Sequence, residues 1–280
     1  MAVDVGTHGV WKRARELSAE FARQIEELGY STLWVGGSPP ADLRLVEDLL
    51  EATESLVVAT GIVNMWVADA EELAESYHRI AARHADRFVL GLGIGHPEAI
   101  AQYTNPYDTI VAYLDRLDSA GVPRDALVLA ALGPKVLRLA AERTAGAHPY
   151  LTTPRHTRMA REILGEGPLL APEQKAVLVA DADEARRIGR EAVGNSYLRL
   201  VNYRRSLLRE GWKEDELDGG GSDRLIDELV LHGTAEEIAA GLRAHLEAGA
   251  DHVSVHALGD DPMATLRPVA LELELKGQNR

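Results

Sequence analysis

The segment Phe88-Val89-Leu90-Gly91-Leu92-Gly93-Ile94-Gly95-His96 decides between two fold classes. An apolar run that breaks into glycines reads as a buried strand opening onto a ligand site. A dinucleotide-binding fold would need two residues between its second and third glycines, a helix at once, and an acid about 20 residues further on. Here the spacing is G-x-G-x-G, and Pro97 follows His96. Glycines just past a strand let backbone N–H groups approach a ligand where a Cβ would collide. A tight turn that merely ends a strand would look the same, so the surrounding pattern decides.

That pattern alternates short apolar runs with longer helical ones. Residues 32–35, 56–59, 88–90, 127–130, 176–179 and 252–255 lack polar alternation, as parallel strands covered on both faces do. Between them, Trp11 to Leu28, Asp69 to His84, Pro134 to Arg143 and Ala235 to Ala248 carry apolar residues at helical spacing. Gly29, Gly146 and Gly249 stand where helices return to strands, the place for a left-handed C-cap. A first strand near Val3 to Trp11 and a sixth near Gly146 to Tyr150 bring the count to about eight βα units. The expected fold is therefore α/β, a (β/α)8 TIM barrel filling residues 1–280 as one domain. An open doubly wound sheet is the alternative, because periodicity does not show closure. One segment, 181–231, breaks the rhythm with helical stretches and the Asp218-Gly219-Gly220-Gly221-Ser222 hinge. A helical excursion after strand seven would serve as a lid over the strand C-termini or as a dimer interface.

Composition narrows the function. Thirty Lys plus Arg against 44 Asp plus Glu give a formal charge of −14, so nucleic acid is not an expected partner. With no cysteine, disulfides, thiolate metal sites and a cysteine nucleophile are excluded. No apolar run approaches the roughly 18 residues of a membrane span, and the start has no signal-like segment. A cytoplasmic protein without membrane contact is expected.

In a barrel, chemistry lies just beyond the strand C-termini. Gly133-Pro134-Lys135 opens a helix there, with Thr152, Thr153 and Arg155 in the next loop; N–H groups, hydroxyls and cations together suit a phosphate. Asn64, Trp66, Gly93 and His96 offer a mixed rim suited to a flat ring. His8, His96, His148, His156 and His256 fall near predicted strand ends, but a lone histidine is more often packed than catalytic. No metal centre is expected: His8-Gly9-Val10 lacks a second histidine, and H-E-x-x-H is absent. G-x-S-x-G is absent too.

Several stretches together resemble the luciferase-like monooxygenase superfamily. They are Gly9-Val10-Trp11, residues 28–34, 57–62, 87–93 and Gly249-Ala250-Asp251-His252-Val253. Residues 130–135, 145–151 and 165–174 make the chain most similar to an actinobacterial subgroup of oxidoreductases that use coenzyme F-420, an 8-hydroxy-5-deazaflavin. The resemblance spans nearly the whole chain. It implies a bacterial luciferase-like barrel that transfers a hydride between F-420 and a small organic substrate. It further implies a non-proline cis peptide after strand three at Gly61-Ile62, Asn64 at the ring edge, Gly93 in the ring wall, and Gly133, Pro134, Lys135, Thr152 and Thr153 around the phosphate. A homodimer is implied as well. Many F-420 relatives carry Asp-His after strand two, where this chain has Gly36-Gly37. The proton-transfer role is thus open, with His96 and His256 as the catalytic candidates. Two alternatives keep the fold: an FMN-dependent luciferase-like monooxygenase, and a flavin- or deazaflavin-binding protein without turnover.

Overall fold

In a computed structural model, which describes residues 3–84, 86–95, 105–194 and 196–278, every strand pair is parallel. The strands are β1 (His8–Arg13), β2 (Thr32–Gly36), β3 (Val57–Gly61), β4 (Val63–Asn64), β5 (Phe88–Gly93), β6 (Leu127–Leu129), β7 (Gly146–Ala147), β8 (Leu169–Leu170), β9 (Glu173–Val177), β10 (Val230–His232) and β11 (Val253–Ala257). The longer connecting helices are α1 (Ala19–Leu28), α2 (Arg44–Glu51), α3 (Ala70–His84), α4 (Pro106–Ser119), α5 (Pro134–Arg143) and α6 (Pro154–Leu164). After β9 come α7 (Ala182–Val193), α8 (Val201–Arg209), the short α9 (Glu214–Leu217) and α10 (Asp223–Leu229). Beyond β10 follow α11 (Ala235–Glu247), α12 (Met263–Glu272) and α13 (Leu275–Gln278).

The sheet runs β11-β1-β2-β3-β5-β6-β7-β8 on one path, and β9 returns beside β11. Closure happens through residues 169–173, which pair on both edges. Leu169, Ala171 and Glu173 N–H groups donate to Ala145, Ala147 and Pro149 carbonyls, while Leu170 and Pro172 carbonyls accept from Asp251 and Ser254. Among the described residues no open edge interrupts this ring, so the barrel reading holds over the doubly wound one. Strand β10 adds to the outer half of β9.

Inside the ring, Trp11, Trp34, Val57, Ala59, Val89, Val128 and Ala171 share one apolar cluster with Val5. A larger cluster, including Val10, Leu33, Val58, Leu90 and Leu127, lies on the other strand face against the helices. β2, β3, β5 and β6 are almost wholly apolar because both faces are buried. A third cluster, with Leu198, Tyr203, Trp212 and Ile226, packs the excursion helices together.

Four local readings need correction. Helical spacing from Trp11 does not make a helix there: β1 runs to Arg13, and α1 starts after Ser18, whose hydroxyl caps it by accepting from the Phe21 N–H. Strand seven begins at Glu173 rather than 176. Gly29 and Gly249 are left-handed helix ends, with φ of 90° and 101°, whereas Gly146 lies within β7, beyond the end of α5. Gly91 and Gly93 lie inside β5, on its lumen face, rather than past its end. A Cβ at Gly91 would meet the Thr60 carbonyl at 1.9 Å, and one at Gly93 would meet Ile62 at 2.7 Å. The alternating glycines mark where β3 and its bulge press against β5.

Candidate functional site

Strand polarity brings β1, β2, β3, β5, β9 and β11 to one mouth, where the side chains facing the lumen meet. Trp11 comes from β1 and lies across the end of β2, over Gly36. Its Nε1–H donates to the Gly61 carbonyl at 3.0 Å. The Gly61-Ile62 peptide is cis, at the position the family resemblance implied. The chain then crosses to β5, with Val63 beside Leu92 and Asn64 beside Gly93. Asn64 keeps its side chain local, its Oδ1 accepting from the Trp66 N–H at 3.0 Å. Gly61, Ile62, Asn64 and Gly93 thus form one continuous wall.

Beneath this wall the barrel is filled by stacked rings. His148 lies parallel to Trp34 with centroids 3.9 Å apart, and the Trp34 N–H donates to His252 at 3.0 Å. His148 Nδ1 donates to the Ala171 carbonyl at 2.7 Å, which leaves Nε2 as a bare lone pair. That atom is buried and has no partner among the described residues. Burial lowers His148 to about 4 and His252 to about 3, so both rings are neutral at ordinary pH.

The opposite side of the mouth is charged. Glu173 and Lys175 are both 1% exposed and form an ion pair at 2.6 Å. Strand alternation turns both inward, while Gln174 between them faces out and bonds His245 of α11 at 2.8 Å. Glu173 also accepts from the Leu151 N–H at 3.0 Å and contacts His256 Nδ1 at 2.9 Å. Burial opposes ionisation of Glu173, but the Lys175 ammonium and His256 hold its carboxyl down at about 2. The Lys175 ammonium rests over the Tyr150 ring at 3.8 Å. His256 packs on Trp11 with centroids 4.3 Å apart.

The expected phosphate residues converge at a neighbouring point. Gly133 precedes α5 with Pro134 in the first turn, and Thr153 caps α6, its hydroxyl accepting from the His156 N–H at 3.3 Å. His156 Nε2 lies 3.0 Å from the Leu132 carbonyl, which ties the two helix starts together. Thr152 is buried, and its hydroxyl has no partner among the described residues. Lys135 lies with its ammonium 3.6 Å from the Tyr107 ring centre. Two residues that the sequence reading did not single out join them from the excursion. Arg209 approaches Gly133, a Cβ there lying 3.7 Å from Nη2, and Glu210 accepts from the Thr153 hydroxyl at 2.6 Å. Burial raises the Glu210 carboxyl to about 7, against the pull of Thr153 and Arg155.

The structure therefore brings Gly61, Ile62, Asn64 and Gly93 together, and separately Gly133, Pro134, Thr152 and Thr153, with His256 facing the mouth between strands. His96 lies outside the described residues. No group of three or more His, Asp or Glu able to hold a metal occurs among the described residues. No helix there is long and apolar enough to cross a membrane.

No family model matches the chain, and no curated protein does. Solved structures do. An F-420-dependent secondary alcohol dehydrogenase in complex with an F-420–acetone adduct superposes with a TM-score of 0.76 at 14% identity, over 98% of this chain and 99% of that one. The coenzyme F-420-dependent tetrahydromethanopterin reductase of Methanopyrus kandleri gives 0.69 at 14% identity, over 96% and 99%. The oxygenating constituent of 3,6-diketocamphane monooxygenase from Pseudomonas putida, in complex with FMN, gives 0.67 at 16% identity, over 98% and 97%. The fold is the luciferase-like barrel that the sequence resemblance implied.

Proposed function

We propose that this chain is a luciferase-like oxidoreductase that binds the deazaflavin F-420 across the barrel mouth and exchanges a hydride with a small organic substrate. The observation that carries this reading is the buried, unpartnered Thr152 hydroxyl beside two adjoining helix starts, with Arg209 at the first of them. Helix N-termini, a hydroxyl and a guanidinium are the donor set a phosphate requires. Gly133, Pro134, Lys135, Thr152 and Thr153 would hold the phosphate end. Gly61, Ile62, Asn64 and Gly93 would form the wall against which the ring lies. When bound, the cofactor supplies the hydride chemistry, and the protein supplies placement and exclusion of water.

The FMN-dependent reading is favoured by the diketocamphane relative, whose structure holds FMN. Purified protein titrated in parallel with F-420 and FMN separates the two. Saturable binding of F-420 is the expected result. Binding of FMN alone would move the chain to the flavin monooxygenases, and binding of neither would remove both readings.

A further inference from the structure

We infer that His256, held by Glu173 and Lys175, is the proton-accepting group of this site, and that it serves a substrate whose hydroxyl-bearing carbon gives up the hydride. The inference rests on the cofactor reading above and adds to it the residue that handles the proton.

The argument begins with hydrogen-bond inventory. An ionised carboxylate only accepts, so the 2.9 Å contact between Glu173 Oε1 and His256 Nδ1 requires the proton on Nδ1. In the neutral ring, Nε2 then carries the lone pair. That nitrogen has no hydrogen-bond partner among the described residues and is not sealed: the side chain keeps 13% of its surface exposed. The ring is fixed on its other sides. Trp11 packs against it at 4.3 Å, and the same indole bonds the Gly61 carbonyl, so His256 stands one indole away from the proposed ring wall.

Glu173 and Lys175 are positioning residues. Lys175 is the only charged group bonded to Glu173 among the described residues, and its ammonium keeps the carboxylate ionised in a dry environment. The groups that face His256 come from three elements: Glu173 and Lys175 from β9, Arg13 and Trp11 from β1, and the Tyr150 hydroxyl, 3.5 Å from Nδ1, beyond β7. Burial dominates, and Lys175 and Arg13 add to it against the pull of Glu173, which brings the ring to about 4. A neutral imidazole with a fixed tautomer and an open Nε2 is a proton acceptor at neutral pH.

The step balances as follows. The C–H bond of the carbinol carbon breaks and its electron pair leaves with the hydrogen as hydride to the oxidised deazaflavin. The O–H electron pair closes the carbonyl, and the hydroxyl proton passes to His256 Nε2. Glu173 accepts the hydrogen bond of the resulting imidazolium. A histidine at this point fills the role left vacant by Gly36-Gly37 without using the end of strand two.

The test has one arm without cofactor and one with it. In protein labelled with 15N-histidine, long-range proton–nitrogen correlation spectra from pH 5.5 to 8 are expected to show the His256 ring neutral and protonated on Nδ1 throughout. That signal is identified by its loss in His256→Ala. A proton on Nε2, or titration near 6.5, would overturn the assignment. In Glu173→Gln the single tautomer should give way to a mixture, and an unchanged spectrum would remove Glu173 from its role. With F-420 bound and a panel of secondary alcohols, 2-propanol first, His256→Ala is expected to lower kcat about 10²- to 10⁴-fold with F-420 affinity unchanged, and external imidazole to restore part of it. Unchanged kcat, or no alcohol turned over by wild-type protein with F-420 bound, would overturn the inference alone. Failure of F-420 to bind would instead overturn the cofactor reading beneath it.

Discussion

Trp11 occupies the space that a side chain at position 36 would need: a Cβ on Gly36 would lie 2.0 Å from Cζ2 of the indole. A side chain at the first of the two glycines at the end of strand two is thus excluded by a tryptophan on strand one. Gly36→Ala should force the indole off its bond to the Gly61 carbonyl. Overpacking of this kind costs about 1–3 kcal/mol. Urea unfolding followed by tryptophan fluorescence measures it, and a stability equal to wild type would show that the indole moves freely.

The Glu173–Lys175 pair allows a sharper energetic test. Removing one member leaves a charge buried in the lumen, so Glu173→Gln or Lys175→Met alone should cost about 3–5 kcal/mol. The double variant should recover most of that loss, because no unpaired ion remains. Additive losses in a double-mutant cycle would mean that water reaches the pair.

Acid should destabilise the fold earlier than carboxylates alone predict. Burial places His8, His148, His156 and His256 at about 4 and His245 and His252 at about 3, against an ordinary 6.5. The unfolded chain binds these protons below 6.5 and the native chain does not until about 4. Their contribution is therefore complete above 6.5 and is lost as pH falls through that window, each group at most about 1.4 kcal/mol per pH unit. Glu210, raised to about 7 from 4.5, works in the opposite sense: its contribution is complete below 4.5 and disappears as pH rises through 7. Glu210→Gln should accordingly stabilise the protein by about 1–2 kcal/mol at pH 8, by a fraction of that at pH 5, and not below 4.5. Denaturation midpoints at pH 8, 6.5 and 5 check both signs.

Lys135→Ala removes a cation from the first turn of α5 and a contact with Tyr107, both on the surface of the proposed phosphate end. Affinity for F-420 should fall about 2- to 5-fold, the scale of one exposed charge contact, with the melting temperature nearly unchanged. Equal affinity in a direct titration would take Lys135 out of the site.

The barrel was legible because parallel strands buried on both faces write themselves as unbroken apolar runs, and α5 was legible to the residue because Pro134 marks its first turn. The charged side of the mouth was not. Glu173-Gln174-Lys175 looks like a polar approach to a strand at 176, whereas alternation makes it the strand itself, with two charges turned into the lumen. Trp11 was hidden differently, since helical spacing runs through it without interruption until Ser18 caps the true helix. Arg209 and Glu210 reach the proposed phosphate end only because the excursion folds back there, and a single sequence carries no signal of that docking. The wall at Gly61, Ile62, Asn64 and Gly93 came from the resemblance, and the alternating glycines of β5 were its physical trace.

Thr60 has a part in that wall that is easily overlooked. Its hydroxyl accepts from the Gly91 N–H and donates to the Gly91 carbonyl, both at 2.8 Å, in the gap between the β3–β5 pairing at Val58 and Ala59 and the β4–β5 pairing at Val63 and Asn64. One side chain here does the work of a missing rung. The residues between Thr60 and Val63 are thereby released from keeping register with β5, although both of their ends are pinned to it. The bulge can therefore shape the mouth while the strands on either side of it stay in step.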